Sequence, residues 1–362
     1  MMDLVNADGR PASPLKFTRE KILTLQQEIP MLKYPVISTL ILALTGTAST
    51  LAQGDDIPRT SWGVPDFQGN WRNNTAIPMT RPPELGAQRA YSEEEIRSKE
   101  RALQEFVEKA DEPIDPNRPA PKAEPLPSIG NYDVFWTDRG LTWPSIDGEF
   151  RTSLVIDPPN GQIPERVTGF QPSPKVNSDG PEGRILAERC LLFFNVAGPV
   201  MMKTLYNGHL MIHQSPGYVV ITSEMINDSR IIKITDERDE LRSAAQQRWM
   251  GDPIGHWEGD TLIVETKNYH PQQTFNRAMA DNLTIIETLR FDNNDKLIYG
   301  FTVDDPSVYT AQWSGEAPIT RMDAPLYEYA CHEGNHSMSG ILGGARRLEY
   351  EEKLGITRGV NN

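Results

Sequence analysis

From about residue 131 onward the chain alternates apolar and polar residues in short runs, separated by clusters of turn-forming residues. Residues 283–291 and 296–303 each read as a strand, and Asp292-Asn293-Asn294-Asp295 between them supplies hairpin-turn chemistry. Residues 218–225 and 230–235 form a second hairpin around Asn227-Asp228. Residues 152–156, 261–266 and 308–313 are further strands. The first stops at Asp157-Pro158-Pro159-Asn160-Gly161, and the second follows the turn Glu258-Gly259-Asp260-Thr261. Strands at roughly ten-residue spacing, with no long helix between them, predict a mainly β fold, an antiparallel β-barrel or β-sandwich. Gly69-Asn70-Trp71 and Gly255-His256-Trp257 fit a lipocalin-like barrel; the simpler reading is a buried aromatic after a strand-entry glycine.

Upstream the texture differs. Ser92-Glu93-Glu94-Glu95 has capping-box spacing and opens a helix to about residue 110. Its sparse apolar stripe, Ile96, Leu103, Phe106 and Val107, marks it as a surface helix. Residues 54–91 are loop-like, and the six prolines of residues 111–128 predict an extended strap. Residues 31–54, MLKYPVISTLILALTGTASTLAQG, read as a signal peptide: Lys33, then an apolar run at 36–44, then small residues at Thr50-Leu51-Ala52. The run is short of the roughly 20 apolar residues of a membrane span. The organisation expected is therefore residues 1–52 as a signal peptide with an upstream extension, 53–130 as arm, surface helix and strap, and 131–362 as a β-rich domain. The destination is the periplasm or the exterior, with no integral membrane span after cleavage.

The chain carries 36 basic and 50 acidic residues, a net charge of −14. Residues 1–52 hold five of the basic and four of the acidic side chains, so their removal leaves the balance near −15. Such a surface repels nucleic acid, and no basic cluster overrides it. The partner expected is a small-molecule ligand or substrate. The two cysteines, Cys190 and Cys331, lie in the exported part, where a disulfide is the default.

Six phrases stand in order, TSWGVPDFQGNW, RTSLVIDPPNGQIP, ERCLLF, WMGDPIGHWEGDTLIVETKNY, FTVDDPSVYTAQW and YEYACHEGN, within a match over about residues 60–346. Through them the chain resembles a family of secreted bacterial proteins that carry TPWGDPDLQGVW, GDSRGRWEGDTLVVDTTNF and YEYACHEGN. The resemblance implies a signal peptide and one compact β-rich unit, and it transfers no reaction. Cys331, His332, Glu333 and Asn335 match the family phrase, whereas the position of His336 usually holds another residue there, as in CHEGNY.

His332-Glu333-Gly334-Asn335-His336 spells H-E-x-x-H, the zincin pattern in which two histidines stack on one helical face and the glutamate activates a metal-bound water. Gly334 and Asn335 disfavour that helix, Gly by about 1 kcal/mol relative to Ala. The surroundings, Tyr327-Glu328-Tyr329 followed by Gly340, Gly343 and Gly344, read as a strand end and a glycine-rich turn. A zinc-dependent hydrolase is thus a minor alternative, and no other cofactor is indicated, since no phosphate loop, dinucleotide fingerprint or nucleophile elbow occurs. His209 and His213 form a second i, i+4 pair, which a strand also places on one face; a metal site joining them with His332 and Glu333 is a further alternative.

The candidate site is therefore the loop of His332, Glu333 and Asn335, joined by Arg189 if Cys190 bonds Cys331. His332 exchanges protons near neutral pH, Glu333 is the adjacent carboxylate, and Arg189 could hold an anionic group. A structural alternative is that His332 and Glu333 only cap backbone groups of the loop. Two functions follow: an exported acid–base enzyme acting on a small organic or carbohydrate substrate (hydrolase, lyase or isomerase), or a non-catalytic β-barrel binding protein for an apolar or sugar-like ligand.

Overall fold

The computed structural model describes residues 57–110, 117, 137–138, 140–172, 183–193, 198–236, 247–276 and 278–356. The expected signal peptide and almost all of the proline-rich strap lie outside these residues.

Nine strands close into a barrel: β1 Gly69–Arg72, β2 His209–Ser215, β3 Tyr218–Ser223, β4 Ser229–Ile234, β5 Asp252–Glu258, β6 Thr261–Lys267, β7 Thr284–Asn293, β8 Lys296–Asp304 and β9 Trp313–Met322. They pair in chain order, and β1 closes the ring by pairing with β9 as well as β2. All neighbours are antiparallel except β4 and β5. An odd-numbered ring cannot alternate direction throughout, so one parallel pair is the least that closure by nine strands requires. It falls where the long connection between residues 234 and 252 allows a crossover. This topology differs from the eight-stranded up-and-down plan of lipocalins.

The period-2 pattern sends Trp71, Leu210, Ile212, Val219, Ile221, Ile232, Leu297, Tyr299 and Phe301 into a common buried core. Each such side chain contributes roughly 1.5–3 kcal/mol on leaving water. The space beside Arg230, Glu287 and Tyr299 is about 10 Å³, no more than a single water could use. The lumen is a packed core.

Outside the wall, the short strand Val155–Asp157 adds to β9, and Arg151 bonds Glu316. The helix α1, Glu93–Ala110, begins with a reciprocal cap: Glu95 N–H donates to Ser92 Oγ at 3.3 Å and Ser92 N–H to Glu95 Oε2 at 2.7 Å. Ile96 is its buried anchor, and Lys99 lies 4.6 Å over the Tyr91 ring. Two helices follow the barrel, α2 Cys331–Gly334 and α3 His336–Lys353.

Three sequence expectations are corrected here. Residues 308–313 are not a strand; Val308 and Tyr309 are buried in a turn built on Asp305, and the strand is β9. The loop-like stretch 54–91 contains the closing strand β1, whose four residues offer one inward aromatic and no run of alternation. Residues 327–329 are not in a strand, and the glycine-rich stretch after them is α3. Side-chain pairs such as Arg347–Glu351 at 2.7 Å support that helix where intrinsic propensity is low. No helix among the described residues is long and apolar enough to cross a membrane.

Candidate functional site

Cys190 and Cys331 are bonded, with Cα atoms 5.8 Å apart. The bridge ties segment 183–193 to α2 across 141 residues of chain, the pairing expected for two cysteines in an exported protein. Asn335 breaks the helix between α2 and α3, with φ −84° and ψ 56°. From that break its Nδ2 donates to the Glu188 carbonyl at 2.7 Å and lies 3.5 Å from Cys190 Sγ. The disulfide and the Asn335 amide therefore hold the same two segments together.

Between those segments lies a cleft of about 480 Å³. One wall is Ala187, Glu188 and Asn207, and the other is Glu328, Tyr329, Ala330, Cys331, Gly334, Asn335, Ser337, Met338 and Ile341. The lining residues thus include two glutamates, two asparagines, a serine and a tyrosine beside the apolar Met338 and Ile341.

Of the four residues expected at the site, Asn335 lines this cleft. His332 and Glu333 are exposed on α2 between two residues that line it, and Arg189 is half-buried beside Cys190 without reaching the lining. His332 and His336 fall on opposite sides of the Asn335 break, so no continuous helix stacks them as a zincin needs. Among the described residues no group of three His, Cys, Asp or Glu side chains is placed to hold a metal.

His209 and His213 lie on the outer face of β2, since Leu210, Ile212 and Gln214 are its buried phase. Beside His209 the sequence reasoning missed Glu224. Its N–H donates to the His209 carbonyl at 2.9 Å, and its Oε1 accepts from the Tyr327 N–H at 2.9 Å. Asn70 Nδ2 donates to the Ala324 carbonyl at 3.0 Å, so residues 324–327 are pinned to the barrel wall. These bonds place Glu328 and Tyr329 at the cleft. Among the described residues, Glu224 Oε2 and His209 Nδ1 are both buried without a hydrogen-bond partner. Each such group costs roughly 1–3 kcal/mol, which a stability-only design would avoid.

A second polar group was also missed, this time inside the lumen. Arg230 donates from Nη1 to Glu287 Oε1 at 2.9 Å and from Nη2 to Oε2. The Tyr299 hydroxyl donates to Glu287 Oε1 at 2.8 Å and accepts the Met201 N–H at 3.1 Å. Burial alone would lower the Arg230 pKa, but the Glu287 carboxylate more than offsets it and holds it above the usual arginine value. Burial pushes Tyr269 and Tyr299 up, and the charge of Glu287 adds to the shift. The signal was available: Arg230 shares the inward phase of Ile232, and Glu287 that of Ile285 and Leu289. The Arg230 and Glu287 side chains are both withdrawn from water, and each neutralises the other's charge inside the barrel.

No family model, curated protein or solved structure matches this chain.

Proposed function

We propose that the protein is an exported binding protein that takes up a small, sugar-like ligand in the cleft beside the Cys190–Cys331 bond. The observation that carries this reading is the contrast between two spaces: the external cleft holds about 480 Å³, and the lumen beside Glu287 about 10 Å³. A volume of several hundred Å³ suits a small ligand. Glu188 and Glu328 accept hydrogen bonds from vicinal hydroxyls, Asn207 and Ser337 both donate and accept, and Tyr329 offers an aromatic surface. Asn335 Oδ1 makes no hydrogen bond within the described residues and is available as an acceptor. An apolar ligand in the bore, the other form of this reading, would find only about 10 Å³ beside Glu287 among the described residues. Periplasmic or extracellular residence is part of the proposal and rests on the apolar run at 36–44, the small residues at 50–52 and the disulfide.

Calorimetric titration with a set of neutral mono- and disaccharides tests it. At least one should bind saturably, and Asn335→Ala should weaken that binding about tenfold or more by removing an acceptor and loosening the cleft. Failure of every sugar to bind, or equal binding by Asn335→Ala, contradicts it.

An acid–base enzyme acting on the same class of ligand is a second reading, favoured by His332 and Glu333 standing between the cleft residues Cys331 and Gly334. It predicts that a bound sugar is chemically changed on prolonged incubation and that His332→Ala stops the change. A ligand recovered intact rejects it.

A further inference from the structure

A separate depression of about 420 Å³ lies where segment 163–170 meets the turns at 276 and 305–310. Ile163, Pro164, Arg166, Asn276 and Tyr309 line it. Arg166 and Tyr309 are partners in an isolated antiparallel bridge, flanked by Val167 N–H to the Val308 carbonyl at 3.0 Å and Thr310 N–H to the Glu165 carbonyl at 2.9 Å. Opposed residues of such a bridge project to the same side, so the guanidinium and the phenol stand together.

The guanidinium is built in rather than loose. Its Nη2 donates to the Asn276 carbonyl at 2.5 Å, and its Cζ lies 4.3 Å from the Phe170 ring centre. No carboxylate among the described residues pairs with it, although the chain carries a net charge of −14. Tyr309 is 4% exposed, edge-on to Trp313 at 6.0 Å. Its hydroxyl accepts from Asn276 Nδ2 at 3.1 Å, which leaves its own hydrogen to donate elsewhere. Burial raises its pKa, so the phenol stays a donor at neutral pH.

We propose that this depression binds a small monocarboxylate with an apolar body, the carboxylate on Arg166 and the Tyr309 hydroxyl and the body against Ile163 and Pro164. The planar fork of an arginine matches a carboxylate in a bidentate way. One guanidinium balances one negative charge; a phosphate dianion would bring a second charge into an acidic surface and a hydration shell into apolar walls. The site is distinct from the disulfide cleft, with which it shares no lining residue.

The probe is hexanoate, titrated against the full chain by ligand-observed NMR, with 1-hexanol and hexyl phosphate as controls. Hexanoate should bind saturably and more tightly than either control. Arg166→Gln should weaken it about tenfold, Arg166→Lys less because the charge remains, and Tyr309→Phe about three- to tenfold. Arg166→Gln loses its contacts with Asn276 and Phe170, and Tyr309→Phe loses the Asn276 amide, so each variant should melt slightly below the parent. Affinities are compared at a temperature where every variant is folded. Asn335→Ala should leave hexanoate binding unchanged. The proposal is overturned by the absence of saturable binding, by equal affinity for 1-hexanol, by full affinity in folded Arg166→Gln, or by loss of binding in Asn335→Ala.

Discussion

Arg230 on β4 and Glu287 on β7 meet inside the closed barrel, where the guanidinium and the carboxylate form a forked pair with both side chains withdrawn from water. A charge left alone there has no solvent to turn to. Arg230→Met should therefore lower stability by about 3–5 kcal/mol, whereas Arg230→Met combined with Glu287→Leu should recover most of that loss. Urea unfolding of the two variants checks this. A double variant as unstable as the single one would mean that the pair is needed for packing and not merely for mutual neutralisation.

Alkaline pH acts on this cluster and, separately, on Tyr309. Burial raises the pKa of Tyr269, Tyr299 and Tyr309 in the folded state. A raised folded pKa contributes stability that is complete below the unfolded tyrosine value of about 10 and is lost as pH rises toward the folded one. Stability should hold from pH 7 to 9 and fall above about pH 10. Measured on the full-length chain, absorbance at 295 nm should show fewer than its 11 tyrosines ionising before unfolding. All 11 titrating near pH 10 in still-folded protein would contradict the burial argument.

The β scaffold was legible because local and tertiary signals agree there. Asp292-Asn293-Asn294-Asp295 forces a turn, and Ile285, Leu289, Leu297 and Phe301 keep one phase on either side of it. The closing strand β1 was not legible, because four residues with a single buried aromatic have no period to read, and their strand character comes from pairing with β2 and β9. The α3 helix escaped for the opposite reason: its glycines spoke against a helix, and its support comes from charged pairs and the tether at Cys331. At the site, the two cysteines announced the bridge, and Asn335 followed from its place next to it. Glu224 and Asn207 gave no signal: Glu224 reaches its place through contacts with His209 and Tyr327, and Asn207 lines the cleft far in sequence from residues 328–341.

The disulfide should be a large single contribution to stability. Closing 141 residues of chain is worth about 5 kcal/mol in the entropy model, and measured values fall at or below that. Guanidinium unfolding with and without reductant gives the difference, with Cys190→Ser/Cys331→Ser as the control that needs no reductant. A change under about 1 kcal/mol would show that segment 183–193 and α2 are held together by other contacts.

Asn335 and His332, only three positions apart, should behave differently. Asn335→Ala removes two contacts that join α2 to segment 183–193 and should cost about 1–2 kcal/mol. His332 is exposed, so His332→Ala should change stability by less than about 0.5 kcal/mol. Thermal unfolding of the two variants side by side decides it. A larger loss for His332→Ala would mean that this side chain, and not Asn335, braces the loop.

Backbone amide chemical-shift mapping with a saturating disaccharide tests most directly whether ligand binds in the external cleft. The shifts should cluster at Ala187, Glu188, Asn207 and residues 328–341, and leave lumen residues such as Tyr299, Ile232 and Leu297 in place. Shifts centred on the lumen residues, or none at all at saturating sugar, would contradict the account.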